Sequence, residues 1–514
     1  MAGPVAFELD GRPVAVADDG TSLLDALRDQ LGARSVKDGC SPQGQCGCCT
    51  VLVDGAARVA CVTPVRRVAG RRVTTVDGLA DAGAWADAFV ATGGSQCGFC
   101  TPGIVCRLSS LRAREPGADR ASIDRALAAH LCRCTGWQTI GEAWAAVGRA
   151  APVRDLEAAA RRAAIEGRSP QRVGTDVPLG RVGFADDTAP DDALVAVPDG
   201  AGGWSLGATL AEARGAAGKV QGRRSTVPVE PPLELPPGIW DLTLRTSWVE
   251  PAYLETDASW CRPGGEPVSP LANGGGFGGK SASPAPAAAR ALADATGRPV
   301  RVLLSREDTV RLGPKRPPVA IGARADGSGV VRVVATPGIE VAIRGVAPGF
   351  DVEEVVRAGP PTSDRLRAAG WAEAAVVLAG LRGRREVTVV GPGGAVATAL
   401  VGPDGVDVAV RCGAPLDEVV LRSYCIGAAH MALGWVRQEG LAVGPDGVPV
   451  DLTVRSFGIV RPADMPPVSV VVEIDPDRPD PVNGSDAVFA AVAASAWIGQ
   501  GCPPDWPTGP ARAG

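Results

Sequence analysis

Apolar and polar residues alternate over Val5–Leu9 and again over Val14–Val16, around the turn Asp10-Gly11-Arg12-Pro13, which predicts two paired strands. Asp19-Gly20-Thr21 then reads as the cap of a helix running to about Leu31, with Leu23, Leu24, Ala26, Leu27 and Leu31 at helical spacing. A hairpin follows, its first strand Val51-Leu52-Val53 and its turn Asp54-Gly55. Helical patterning starts at about Trp85 and returns near Thr101, over Ile123–His130 and over Ile140–Arg149. Residues 150–180, rich in Ala, Arg, Pro and Gly, read as a helix and then a tether. From Gly180 onward the pattern is mixed, with a helix from Pro284 to Thr296 and an apolar helix over Ser423–Trp435 that carries small residues on one face. A strand is expected within Asp451–Pro467 and an Ala- and Val-rich helix over Asp486–Trp497.

The 514 residues leave room for three or four domains. A formal net charge of −5 argues against a nucleic acid or an anionic membrane as the main partner. No run of ~18 apolar residues predicts a membrane span. Met1-Ala2-Gly3-Pro4 does not open a secretory signal, so a cytoplasmic setting is expected. With only His130 and His430, a histidine-based metal site is excluded, and the candidate chemistry falls to cysteine.

Eight of the fourteen cysteines stand at metal-ligand spacings, which fits a reducing compartment better than a disulfide framework. Gln96-Cys97-Gly98-Phe99-Cys100-Thr101-Pro102-Gly103 holds a C-x-x-C pair at a predicted helix start, where free N–H groups favour negative charge. Cys132-Arg133-Cys134-Thr135-Gly136-Trp137 holds a second pair. Four such thiolates suit a structural zinc or an iron–sulfur cluster, with disulfides as the bland alternative. Upstream, Cys40, Cys46 and Cys49 are followed after the hairpin by Cys61. The plant-type [2Fe–2S] signature spaces its first two cysteines by four residues, whereas five stand here. Gly39, Gly44 and Gly47 would let that loop curl around a cluster. Farther on, Asn273-Gly274-Gly275-Gly276-Phe277-Gly278-Gly279-Lys280 leads toward a helix and can bring backbone N–H groups against an anionic or oxo ligand. No glycine fingerprint of the dinucleotide or P-loop type occurs.

The combination of the plant-type loop with Q-C-G-x-C-T-P-G and C-R-C-T-G resembles the iron–sulfur subunit of the molybdenum hydroxylases, the xanthine dehydrogenase and aldehyde oxidase family. That resemblance implies one [2Fe–2S] centre on Cys40, Cys46, Cys49 and Cys61, with Cys48 at the position of a small non-ligand residue. It implies a second centre, nearest the molybdopterin, on Cys97, Cys100, Cys132 and Cys134, with Gln96 and Cys134 approaching the pterin. The ordered set Glu250-Pro251-Ala252-Tyr253-Leu254-Glu255-Thr256, the glycine loop, Gly297–Arg301 and Arg306-Glu307-Asp308 is similar to the cofactor-binding subunit of the same enzymes. Gly275, Gly276, Phe277, Gly278 and Gly279 would then bind the cofactor, the Phe277 and Gly278 backbone facing the metal's apical ligand. The implied fold class is α+β. A ferredoxin-like β-grasp domain (1–78) precedes a helical-bundle [2Fe–2S] domain (79–150) and a linker (151–180). Shortened molybdopterin-binding-like domains follow at 181–345 and 346–514. A flavin domain is not recognisable, which implies a separate flavoprotein or other redox partner in a homo- or hetero-oligomer.

The chain also departs from that family. Ala342-Ile343-Arg344-Gly345 is all that echoes the family's A-F-R-G-F-G loop, and Tyr424 stands where a cofactor-binding glutamine is expected. Ser281 replaces an acidic residue of purine hydroxylases, which disfavours xanthine. In Asn483-Gly484-Ser485-Asp486-Ala487-Val488-Phe489, Ser485 takes the place of the family's catalytic glutamate. Asp486, one residue on, is the candidate base, and a helix N-cap is its competing role. Two readings follow. One is a hydroxylase of an aldehyde or N-heterocycle that uses water-derived oxygen. The other is an electron-transfer subunit whose degenerate molybdenum module docks a separate catalytic subunit.

Overall fold

The computed structural model describes residues 3–18, 20–218, 227–474 and 479–509. Strand β1 (Val5–Leu9) pairs antiparallel with β2 (Arg12–Val16), Val5 opposite Val16. With β3 (Thr50–Val53), β4 (Ala56–Val59) and β5 (Arg72–Thr74) they form a sheet in the order β2-β1-β5-β3-β4. Its inner face buries Val5, Phe7, Val51, Val53 and Val73 against Leu23, Leu24 and Leu27, while Leu52 and Ala57 on the other face join the core of the helix Thr101–Arg114. Asp19 of the expected cap lies outside the described residues. The cap is Ser22, whose hydroxyl accepts from the Asp25 N–H at 3.2 Å. The helix Leu23–Asp25 widens at once into a π-helical turn, Ala26–Gln30.

Four helices make the next unit: Ala82–Thr92, Thr101–Arg114, Arg120–Leu127 and Gln138–Ala146. The third begins three residues before the expected Ile123 because Asp119 caps it, accepting from the Ser122 N–H at 2.8 Å. Trp85, Phe89, Ile104, Leu108 and Ile140 fill the space between them.

The stretch 151–180 does more than tether. Asp155 caps the helix Leu156–Gly167, whose Arg162 and Glu166 are buried as an ion pair at 2.9 Å. Arg162 also donates to the carbonyls of Pro415 and Val482, and Glu166 accepts from the N–H groups of Gly484 and Ser485. A charged pair so deep is tolerable only with all its lone pairs and protons engaged, and that requirement pins the helix to the C-terminal half.

Three more sheets follow. One runs Trp204–Gly207, Leu194–Pro198, Val300–Leu303, Ala258–Cys261, with the helix Ala285–Thr296 on it. The second runs Phe350–Val355, Gly329–Val334, Val319–Ala323, Leu242–Thr246, Asp505–Trp506. It crosses the boundary expected at 345/346, since Phe350–Val355 pairs in parallel register with Gly329–Val334. The third runs Val387–Val390, Val396–Val401, Val406–Arg411, Val468–Glu473. The strand expected within 451–467 therefore lies later, at Val468–Glu473, and the earlier residues are irregular with a short 3-10 turn at Pro462–Asp464.

The helices Glu418–Arg437 and Ser485–Gly499 pack together at the centre. By length and composition Glu418–Arg437 could cross a membrane, contrary to the expectation of no such segment. Its apolar window has a mean hydropathy of 1.3 but is 89% buried within the protein. It reads as a core helix, apolar all round because protein surrounds it.

Candidate redox and cofactor site

The loop ahead of the helix Thr101–Arg114 and the loop ahead of Gln138–Ala146 bring the second set of thiols together. Cys97 and Cys134 place their sulfurs 3.7 Å apart. Cys100 and Cys132 lie within hydrogen-bonding reach of each other, and that contact holds the Cys132 thiol below its ordinary value. The first set curls through positive φ at Gly44 and Gly47, as a loop wrapping a small centre requires. Cys40 reaches both Cys46 and Cys61, and Cys61 reaches Cys49. The hydrogen bonds from Cys46 and then Cys61 hold the Cys40 thiol well below its ordinary value.

A metal with ~2.3 Å bonds to a tetrahedron of sulfurs sets them about 3.8 Å apart, which the Cys97–Cys134 spacing matches. Among the described residues, no three Cys, His, Asp or Glu side chains gather as a single ion would need. In the second set the thiols approach in twos, Cys97 with Cys134 and Cys100 with Cys132, and a [2Fe–2S] cluster takes two protein ligands per iron. The residues present fit binuclear clusters better than zinc.

Beside the second quartet lies an open cavity of about 560 Å³. One wall is Gln96, Cys97, Cys100 and Cys134, and the facing wall is Gly274, Gly275, Gly276 and Phe277. The two walls are bonded to each other. Buried Asn273 donates its amide to the Cys97 carbonyl at 3.1 Å, and Gln96 donates to the Cys134 carbonyl and the Ser423 hydroxyl, both at 3.0 Å. The glycine loop is pressed from behind. A Cβ on Gly278 (φ +93) would lie 2.0 Å from the Arg365 carbonyl oxygen, and one on Gly276 2.6 Å from the Tyr253 ring. Phe277 sits at φ 55, an uncommon conformation for a bulky residue, and Arg367 stacks over its ring at 4.7 Å. Gly274 and Gly275 have no atom closer than 3.4 Å to a built Cβ, so the loop's open side belongs to the cavity. Lys280 pairs with Glu255 at 2.5 Å, and the other carboxylate oxygen of Glu255 is buried without a hydrogen-bond partner. A cradle with an orphaned polar atom and a glycine wall fits a polar cofactor.

Several expected positions move. Ala342-Ile343-Arg344-Gly345 is the end of the helix Ile339–Arg344, with Arg344 paired to Glu340 at the surface. The loop that lies on the glycine segment is instead Arg365–Gly370, where Arg367 N–H donates to the Phe277 carbonyl at 3.1 Å. Tyr424 does line the cavity, donating its hydroxyl to Gln171 at 2.5 Å. Gln171 and Gly167 also line it, and nothing in the local pattern of 151–180 marked them.

Asp486 is neither a cap nor a free base. The Asn483 side chain, not Asp486, accepts from the helix's first N–H groups, at Asp486 N. The Asp486 carboxylate is buried and ion-paired with Arg168 and, at 3.3 Å, with Arg367. Both of its carboxylate oxygens are thus engaged by guanidinium groups. Ser485 accepts from Arg367 at 3.3 Å.

Comparison with known proteins agrees with this geometry. The 2Fe-2S iron-sulfur cluster binding domain matches residues 7–66, the [2Fe-2S] binding domain 75–145, and the molybdopterin cofactor-binding domain 267–328. The xanthine dehydrogenase iron-sulfur-binding subunit of Escherichia coli O157:H7 is 41% identical over 138 residues, covering 26% of this chain and 86% of that one. The nicotine 6-hydroxylase small subunit of Paenarthrobacter nicotinovorans is 41% identical over 143 residues, 27% of this chain and 86% of that one. In fold, the aldehyde oxidoreductase of Desulfovibrio gigas superposes with a TM-score of 0.70 at 14% identity, across 96% of this chain and 97% of that chain. The chain belongs to the molybdenum hydroxylase family of xanthine dehydrogenases and aldehyde oxidoreductases, as an oxidoreductase with two [2Fe–2S] domains and a molybdopterin cofactor-binding domain.

Proposed function

We propose that the chain hydroxylates a C–H bond of an aldehyde or an N-heterocycle, taking the oxygen from water and releasing two electrons and two protons (RH + H2O → ROH + 2e⁻ + 2H⁺). The observation that carries this reading is the single cavity walled by Gln96 and Cys134 on one side and Gly274–Phe277 on the other. The molybdenum cofactor, when bound, supplies the oxygen-transfer and two-electron chemistry. The chain's own residues position it. Gln96, Cys134 and Gly275, Gly276, Phe277, Gly278 and Gly279 hold it, and Asn273 keeps the two walls in register. Cys97, Cys100, Cys132 and Cys134 ligate the cluster beside the cavity, and Cys40, Cys46, Cys49 and Cys61 ligate the outer one. Val62, next to buried Cys61, is 62% exposed, so the outer quartet comes close to the surface where an external flavoprotein or other acceptor would dock. No two of the fourteen cysteines, all among the described residues, are joined in a disulfide, which supports a reducing compartment such as the cytoplasm.

The test is anaerobic mixing with a panel of aldehydes and N-heterocycles in ¹⁸O-water. Bleaching of the cluster absorbance with ¹⁸O in the product is expected. Bleaching by dithionite but by no compound of either class would contradict the reading. One observation favours a second reading: no unpaired carboxylate stands at Ser485–Asp486 to serve as the base. On that reading the chain is an electron-transfer subunit that docks a separate catalytic one, and it would copurify with iron but no molybdenum.

A further inference from the structure

Cys48 is a fifth thiol in a neighbourhood that needs four, and the function above does not use it. It is buried, 1% exposed, and hydrogen-bonds to Cys46. Gly47 between them adopts φ +74, and the chain folds so that both sulfurs lie over Gly39. A Cβ built there would meet the Cys48 sulfur at 2.9 Å and the Cys46 sulfur at 3.2 Å. Glycine at 39 is what makes room for two sulfurs side by side. Cys48 also faces the second quartet, close enough to interact electrostatically with Cys97 and Cys100. Its backbone abuts the helix that carries Cys100, since a Cβ on Gly103 would lie 2.7 Å from the Cys48 carbonyl oxygen.

We infer that Cys48 is a reserve ligand of the outer cluster, able to take the place of Cys46. The exchange balances within the pair: Cys48 gives up its thiol proton as it binds, and the displaced Cys46 thiolate takes that proton across their existing hydrogen bond. No oxidant or reductant is consumed. It rests on the proposed assignment of Cys40, Cys46, Cys49 and Cys61 as the outer ligands.

The experiment compares the full chain with Cys46→Ala, Cys48→Ala, Cys46→Ala/Cys48→Ala and Cys40→Ala by iron content and electron paramagnetic resonance after dithionite reduction. Cys46→Ala and Cys48→Ala should each keep both cluster signals, the first with altered g-values, while the double variant loses the outer signal and half of the iron. Loss of the outer signal in Cys46→Ala alone, with the inner signal intact, overturns the reserve role. An outer signal that survives in Cys40→Ala would instead fault the ligand assignment beneath it. If Cys46→Ala does not fold, Cys46→Ser decides by visible absorption and resonance Raman. All-sulfur ligation there, lost on adding Cys48→Ala, supports the exchange, and oxygen ligation by the new serine overturns it.

Discussion

The side-chain amide of Asn273 donates to the carbonyl oxygen of Cys97 at 3.1 Å, so the cofactor-binding loop is hydrogen-bonded directly to a cluster-bearing loop 176 residues away in sequence. The same Asn273 accepts from the Arg172 N–H at 2.7 Å. Both its ends are buried and engaged, and truncation would leave the Arg172 donor unpaired at about 1–3 kcal/mol. Asn273→Ala is therefore expected to lower the thermal midpoint and reduce molybdenum content, with the outer cluster's resonance signal unchanged. An unaltered molybdenum content would mean that the two walls do not depend on this contact.

Substitution at Gly278 tests the cofactor loop separately from the clusters, because that glycine is pressed against the Arg365 backbone. At φ +93, with the Arg365 carbonyl oxygen 2.0 Å from a built Cβ, any side chain must displace backbone. Gly278→Ala should lose most of its molybdenum while retaining its full iron complement, measured by elemental analysis. Retention of both metals would remove the loop from the cofactor site.

For Asp486, the ion pairs with Arg168 and Arg367 make a structural clamp the expected role. Breaking a buried pair by removing one partner costs about 3–5 kcal/mol. Asp486→Asn is expected to fall in stability by that order, and its folded fraction should keep turnover within roughly tenfold. Loss of a general base instead costs about 10²–10⁴ in rate. A drop of that size with unchanged unfolding would restore Asp486 as the base.

His430 gives a pH dependence of stability. Burial, and secondarily the charge of Arg133, push it down to about 4. Its Nε2 faces the Val460 carbonyl at 3.0 Å, and its Nδ1 is buried without a partner. Between its ordinary value of about 6.5 and 4 the unfolded chain binds a proton that the folded chain does not. The contribution of neutral His430 is thus complete above about pH 6.5 and falls on acidification by roughly 1.4 kcal/mol per pH unit until about pH 4. Denaturant titrations of His430→Gln should show a shallower acid decline over that window. An identical slope would assign the acid sensitivity elsewhere.

Much of the first 150 residues was legible in the sequence because its chemistry is local. Cys97 and Cys100 are three residues apart, and short spacing on a helix start fixes where two thiols point. Strand β1 alternates cleanly because one face meets Leu23, Leu24 and Leu27 while the other is exposed, whereas β3 is buried on both faces. What could not be read was set by distant contacts. Glu166 and Arg162 are buried against Ala414, Pro415 and the 482–485 turn, so a helix that reads as a linker is structural. Arg367 reaches Phe277 only through a loop whose sequence has no periodicity, and Ala342–Arg344 drew attention because its letters, not its contacts, were similar. Asp486 looked available because Arg168 and Arg367, its partners, are far away in the chain.

Iron and molybdenum per chain, measured on protein purified without oxygen and paired with electron paramagnetic resonance of the dithionite-reduced sample, test the central claim most directly. Two distinct [2Fe–2S] signals, two irons for each, and about one molybdenum are expected of a chain whose quartets and cavity act together. The same iron with no molybdenum would contradict a working hydroxylase and leave an electron carrier beside an empty cradle.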